Sequence, residues 1–360
     1  MASVHPGPWV AVIGAHRSGT SAVTGALAAL GLQGVDDADR MEWAESNPEH
    51  WESLAAALFD EDLLADLGGA WNAPPDPAAT FPAEPDRARA AELMAAAYPG
   101  SAPPVWKDPR ACLLLPFWRE VLPGPLTAVF VWRDPLAVAR SLHARDGMPV
   151  GYGLALWEWY IRSAAAGLAG VDTYVLEYAA VVADPEAALA PLVGWLTGLD
   201  RFAPWAPSWD LAAAAASIDG GLRHQAGDPE ALPADTAVLV EWLQGLAGPH
   251  APFSASPPPA PTSWPEAMVA AVREELGTRR RAADAVAEVR RLTAELEGAE
   301  EAARQIRAGY EVEVERLVGE LGDSNRRAAA AQAELDRITR STSWRVTAPL
   351  RAASQRRSGR

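Results

Sequence analysis

The sequence predicts a three-layer α/β fold around a central parallel sheet, followed by a long α-helical coiled coil. Three features carry this reading. Short apolar runs rich in β-formers alternate with alanine- and leucine-rich helical stretches over residues 1–253. A proline-rich segment that cannot form regular hydrogen-bonded structure interrupts the chain at 254–265. From Glu266 to Arg340 proline is absent and charge is dense, and 341–360 forms a basic tail. Strand–helix alternation implies parallel strands joined by right-handed crossovers. A chain of 360 residues has room for one such domain and more.

Trp9–Ile13 is the first strand, a run of apolar residues suited to burial on both faces. Ser21–Leu30 follows as a helix, with Val23, Leu27 and Leu30 on one face and Gly31 as its stop. Further strands are expected at 104–106, 127–132 and 173–177, each leading into a helical pattern. Lys107-Asp108-Pro109 and Arg133-Asp134-Pro135 share a grammar: aspartate at the N-cap, proline at the first helical position. The second opens a helix over Leu136–His143, and Asp184-Pro185 repeats the rule. Residues 151–168 read as one more helix, with Trp157, Glu158 and Tyr160 packed in the core.

A formal charge of −16 argues against nucleic acid as a partner. Cys112 is the lone cysteine, which excludes an internal disulfide and any multi-cysteine zinc site. The residues from Met1 to Pro6 show no basic stretch before an apolar core, and no uncharged apolar run reaches the roughly 18 residues of a membrane span. A cytoplasmic protein is expected.

Gly14-Ala15-His16-Arg17-Ser18-Gly19-Thr20-Ser21 joins the first strand to the first helix. Two glycines let the backbone turn tightly and aim its N–H groups inward, and the helix adds free amides and a positive dipole end. Thr20 and Ser21 add hydroxyl donors. This is an anion cradle of P-loop type. It differs from the nucleotide-triphosphate loop in one respect: the lysine expected after the second glycine is Thr20, and the basic side chain is Arg17. In open parallel sheets the ligand lies beyond the carboxyl ends of the strands. Arg17, Lys107 and Arg133 are therefore expected to converge on one crevice.

Arg17-Ser18-Gly19-Thr20-Ser21 resembles the phosphosulfate-binding loop of the sulfotransferases that use 3′-phosphoadenosine 5′-phosphosulfate (PAPS), in particular bacterial members of carbohydrate and tyrosylprotein type. That family also carries an arginine followed eight residues later by a serine, matched here by Arg133 and Ser141. The resemblance covers roughly residues 8–250 and implies PAPS as co-substrate, with no metal. It implies that Arg17, Ser18, Gly19, Thr20 and Ser21 hold the 5′-phosphosulfate and that Arg133 and Ser141 hold the 3′-phosphate. Lys107 is similar to the lysine that neutralises the leaving oxygen, and in-line transfer independently calls for positive charge there. Arg223 lies where the family often places a further donor-binding cation.

A hydroxyl acceptor needs a base. The segment Glu45-Ser46-Asn47-Pro48-Glu49-His50-Trp51-Glu52 is similar to one in bacterial relatives where Asn-Pro precedes an aromatic residue and then a glutamate. By that match Glu52 is the expected base, and His50 is its rival because imidazole titrates near neutrality.

In the C-terminal helix, Val289, Leu292, Leu296, Ala299, Ala303, Ile306 and Tyr310 alternate steps of three and four. The register slips by one at Val314 and the seam runs on to Ile338, as a stutter does. The seam fits a homo-oligomer or a helix folded back on its own domain. The closing segment Arg340–Arg351 resembles one found after coiled coils in bacterial glycosyltransferases and methyltransferases of surface-polysaccharide assembly, which points to a glycan acceptor and to such machinery. Five arginines and no acid from Arg345 to Arg360 suit an anionic lipid surface or an acidic partner, or a solvated end. Besides a sulfotransferase, two readings stand: a kinase or NTPase of related fold, and a coiled-coil scaffold with a degenerate α/β domain.

Overall fold

The computed structural model describes residues 7–41, 50–76, 81, 87–218, 232–258, 266–351 and 354. Its sheet has the order β2-β1-β3-β4-β5. β1 is Trp9–Ile13, β2 Val105–Lys107, β3 Leu126–Trp132, β4 Asp172–Glu177 and β5 Gly248–His250. The first four pair in parallel, with Val10 opposite Val105 and Thr127, and Thr127 opposite Asp172. β5 departs from the expected all-parallel sheet: it pairs antiparallel with β4 at the edge. At three residues with a central proline it presents no alternation to read, and an edge is where a strand proline is tolerated.

Helices cover both faces. They are α1 Thr20–Leu30, α2 Leu54–Asp66, α3 Arg87–Ala97, α4 Ala111–Val121, α5 Pro135–Asp146, α6 Val150–Gly167, α7 Tyr178–Ala183, α8 Pro185–Thr197, α9 Leu211–Ala216 and α10 Ala234–Gln244. Trp9, Ala11 and Ile13 pack into one apolar cluster with Met94 of α3, Leu114 of α4 and Trp157 of α6. Val10 and Val12 pack into the other with Leu27 of α1 and Leu192 of α8. Alternate residues of one strand thus feed two cores, which makes three layers. Trp157 and Tyr160 are each 1% exposed and Glu158 2%, so all three are buried as expected.

The capping grammar holds in two places and fails in one. Asp134 accepts from the Ala137 amide at 2.7 Å with Pro135 at the helix start, and Asp184 accepts from that of Ala187 at 3.1 Å. At Lys107-Asp108-Pro109 the helix begins only at Ala111. There Asp108 is buried and accepts from the Arg110 amide at 2.8 Å and from the Arg110 guanidinium at 3.1 Å. Its carboxylate closes a local turn, and two residues pass before α4 starts.

The chain divides into two compact units, Met1–Leu276 and Gly277–Arg360. α11 runs over Glu266–Arg340, and α12, Thr342–Val346, follows. The exposed face of α11 is laced by pairs three and four apart, Arg291 with Glu288 and Glu295, Arg316 with Glu313 and Glu320. Part of the basic tail is helical: the Ser341 hydroxyl caps α12, and the Arg351 guanidinium lies 3.4 Å from the centre of the Trp344 ring. Among the described residues no helix is long and apolar enough to cross a membrane.

Candidate active site

The strand order places β1 between β2 and β3, so the chain leaves β1 at the point where the sheet's winding changes direction. Gly14 makes this exit possible: a Cβ there would stand 2.3 Å from the Val131 carbonyl oxygen of β3. Two residues of the following loop are left-handed, Arg17 at φ 67° and Gly19 at φ 87°. Among the described residues no side chain caps α1, which leaves its first-turn amides to a ligand. The Ser18 side chain is fully buried, and among the described residues its hydroxyl has no hydrogen-bond partner. A buried orphan hydroxyl is costly, and an anion in the cradle would satisfy it.

Arg133, just past β3, donates from Nη1 to the Arg17 carbonyl at 3.2 Å. Arg17 in turn donates from Nε to Ser141 Oγ of α5 at 2.8 Å. The expected pairing of Arg133 with Ser141 is thus mediated by Arg17. Among the described residues neither guanidinium makes an ion pair with a carboxylate. Burial lowers the proton affinity of both, and Arg145 and Arg133 lower that of Arg17 further. Two mutually repelling, partly desolvated cations in a chain of charge −16 are a pair that a bound anion would relieve.

Tyr178, the first residue after β4, closes the next side. Its ring centre is 5.4 Å from the Arg133 guanidinium, and a Cβ on Gly19 would lie 2.1 Å from the ring. The sequence reading missed this residue. Its signal was positional, because it follows a strand tip in the same sheet as Lys107 and Arg133.

Lys107, at the tip of β2, is 2% exposed and donates from Nζ to Ser21 Oγ at 2.9 Å and to Glu52 Oε1. Glu52 is itself 6% exposed. Its Oε2 lies 3.4 Å from His50 Nδ1 and accepts from the Trp51 amide at 3.0 Å. Burial pushes this carboxyl up, but the Lys107 charge and the bonds from His50 and Lys107 outweigh it and hold the group well below the carboxylate range. The expected base and the expected leaving-group cation are therefore in contact.

His16 is a second feature the motif did not single out. Its ring lies 4.7 Å from that of Trp71 and 5.4 Å from that of Tyr160, and Arg145 stands over Trp71 at 5.0 Å. Burial, then Arg110, Arg145 and Lys107, hold its imidazole neutral.

Arg17, Ser18, Gly19, Thr20, Ser21, Glu52, Lys107, Arg133 and Ser141 are thus linked at the carboxyl edge of β1, β2 and β3. Arg223 and the segment from Glu45 to Glu49 lie outside the described residues. Among the described residues no three His, Cys, Asp or Glu side chains are grouped as a metal site.

No family model matches the chain. No curated protein matches it either. Among solved structures it is similar to the sulfotransferase domain of the Synechococcus PCC 7002 olefin synthase, at 17% identity and a TM-score of 0.37, over 67% of this chain and 96% of that one. It is also similar to the sulfotransferase STF1 of Mycobacterium tuberculosis H37Rv, at 16% identity and a TM-score of 0.38, over 59% of this chain and 74% of that one.

Proposed function

We propose that this chain is a sulfotransferase that moves a sulfuryl group from PAPS to a hydroxyl of a carbohydrate. The observation that carries the reading is the bond from Arg17 to Ser141, with Arg133 on the Arg17 carbonyl, beside the buried unpartnered hydroxyl of Ser18. Two guanidiniums without a carboxylate partner among the described residues, and a serine beside a phosphate loop, suit a donor that carries a second, separate phosphate. Thr20 in place of the loop lysine disfavours ATP.

PAPS would supply an activated sulfuryl group. Residues 17–21 would hold its 5′-phosphosulfate and Arg133 with Ser141 its 3′-phosphate, Arg223 adding a further cation. Lys107 places fixed positive charge beside the loop, where negative charge develops on the leaving oxygen. Glu52 takes the acceptor's proton. At rest Lys107 suppresses that basicity. Drawing the ammonium toward an anion at Ser21 frees the carboxylate, so donor binding switches the base on. His50, in contact with Glu52, is the relay or the alternative base.

The glycan acceptor rests on the likeness of the closing segment to those of polysaccharide-assembly enzymes. A cytoplasmic site of action fits that machinery, with the arginine-rich end as a contact to it or to anionic lipid.

Calorimetry with adenosine 3′,5′-bisphosphate, ATP and ADP tests the reading. The bisphosphate should bind best, and Arg133→Ala should abolish its preference. Equal or tighter ATP binding would overturn the proposal in favour of a kinase, and silence with all three would favour a scaffold.

A further inference from the structure

We propose that Trp71, His16 and Arg145 form the acceptor's subsite, where a pyranose ring packs against the half-exposed Trp71 indole and its hydroxyls bond His16 and Arg145. The inference rests on the sulfuryl-transfer reading and names the surface that recognises the acceptor.

The sheet separates this group from the cradle. α1 and Tyr178 pack into the apolar cluster fed by Val10 and Val12, whereas Trp71 and Tyr160 pack into the one fed by Trp9, Ala11 and Ile13. In-line transfer sets the attacking oxygen opposite the leaving one. With the phosphosulfate held at α1, the acceptor therefore comes to the sulfur from the face of Trp71. Glu52 belongs to this face too: it lies just before α2, whose Ala56, Phe59 and Leu63 share the cluster of Trp9. His16 is within electrostatic reach of both Lys107 and Glu52.

Trp71 is fixed by its backbone while its ring stays half-buried. Its carbonyl accepts from Tyr160 Oη at 2.6 Å, and that of Asn72 accepts from Tyr152 Oη. Ala70 and Ala73 exchange backbone bonds at 2.8 and 3.0 Å across the same turn. Two hydroxyls of α6 thus hold a flat apolar surface in place beside the loop. A surface ordered in advance loses little freedom when a ligand settles on it.

The polar groups around the indole select the ligand. His16 Nε2 is enclosed and has no hydrogen-bond partner among the described residues. A hydroxyl both donates and accepts, so it satisfies a neutral imidazole in either tautomer. Arg145 stands over the indole at 5.0 Å, and Nε and Nη2 face Asp146, its neighbour in sequence, which leaves Nη1 to a ligand. With Glu52 on the reacting hydroxyl, one apolar face is ringed by three polar partners. A pyranose matches this, with C–H groups on its faces and several hydroxyls at its rim. A phenol has one hydroxyl and would leave His16 and Arg145 unserved.

Saturation-transfer NMR on the full chain with adenosine 3′,5′-bisphosphate tests the inference. The probes are methyl β-D-glucopyranoside, methyl β-D-galactopyranoside and N-acetyltyrosinamide. At least one pyranoside should take up saturation through its ring C–H protons, and the tyrosine amide should not. Trp71→Ala should raise the pyranoside's half-saturation concentration about tenfold, while the adenine signals of the bisphosphate stay as in the wild type. Trp71→Phe, which keeps an aromatic surface, should retain most of the pyranoside signal. Silence of both pyranosides beside a bound bisphosphate would overturn the inference. So would binding of the tyrosine amide in their place, or an unchanged pyranoside signal in Trp71→Ala. Absence of the adenine signal from the wild type would defeat the nucleotide reading itself, and the spectra show that failure separately.

Discussion

Arg17 Nε donates to Ser141 Oγ at 2.8 Å, joining the loop after β1 to the middle of α5 across 124 positions. Because Arg133 holds the Arg17 carbonyl, the groups assigned to the two phosphates form one connected chain. Ser141→Ala should therefore loosen both ends of the donor. Adenosine 3′,5′-bisphosphate should bind on the order of tenfold more weakly, about 1.4 kcal/mol, with little change in melting temperature. Unchanged affinity by calorimetry would remove Ser141 from the site.

The buried Lys107–Glu52 pair makes a different prediction, about stability. Lys107→Met leaves a buried carboxylate without its partner, at a cost of about 3–5 kcal/mol. The double variant Lys107→Met with Glu52→Gln removes both charges and should recover a large part of that loss. Sulfuryl transfer should be lost in both variants. Denaturant midpoints check the first part, and a double variant no more stable than the single one would refute the pairing.

How much of this was legible in the sequence depends on the range of the interaction. Arg133-Asp134-Pro135 could be read because an N-cap and a first-turn proline act within one helical turn. The same letters misled at Asp108, whose carboxylate is captured by Arg110, itself paired with Glu61 of α2. The contact of Lys107 with Glu52 spans 55 positions and leaves no local pattern. Tyr178 was hidden for a related reason: its value comes from Gly19 and Arg133, which only the sheet order brings beside it. A long C-terminal helix was legible, because a proline-free charged run between breakers needs no tertiary partner to be recognised.

His16 gives a pH signature. Its folded form stays neutral below the ordinary histidine value of 6.5, where the unfolded chain takes up a proton. The unfolded state then binds more protons, so stability falls as pH drops through 6.5. Asp60, pushed up by burial and Asp108, acts in the opposite sense above 3.8, and it is common to wild type and variant. His16→Gln should therefore gain on the wild type as pH falls from 7 to 5, by up to about 1.4 kcal/mol per pH unit. Parallel urea titrations at several pH values check this. A constant gap between the two proteins would show that the imidazole takes up its proton alike in the folded and the unfolded chain.

Gly14 and Gly19 bracket one loop, yet alanine should harm them in different ways. At Gly14 the new methyl would meet the Val131 carbonyl of β3 at 2.3 Å, a backbone atom fixed in the sheet. Gly14→Ala should lower the melting temperature sharply or prevent folding. At Gly19 the obstacle is the Tyr178 ring, a side chain that can move, and a backbone at φ 87° that costs alanine about 1–2 kcal/mol. Gly19→Ala should fold, but with Tyr178 driven off Arg133 and the cradle distorted, so nucleotide affinity falls much further than stability. Adding Tyr178→Ala relieves the collision and leaves the backbone strain, so part of the melting temperature should return while binding stays weak. Melting curves and calorimetry on the three variants separate these outcomes. Wild-type affinity in Gly19→Ala would mean that the anion does not sit in this loop.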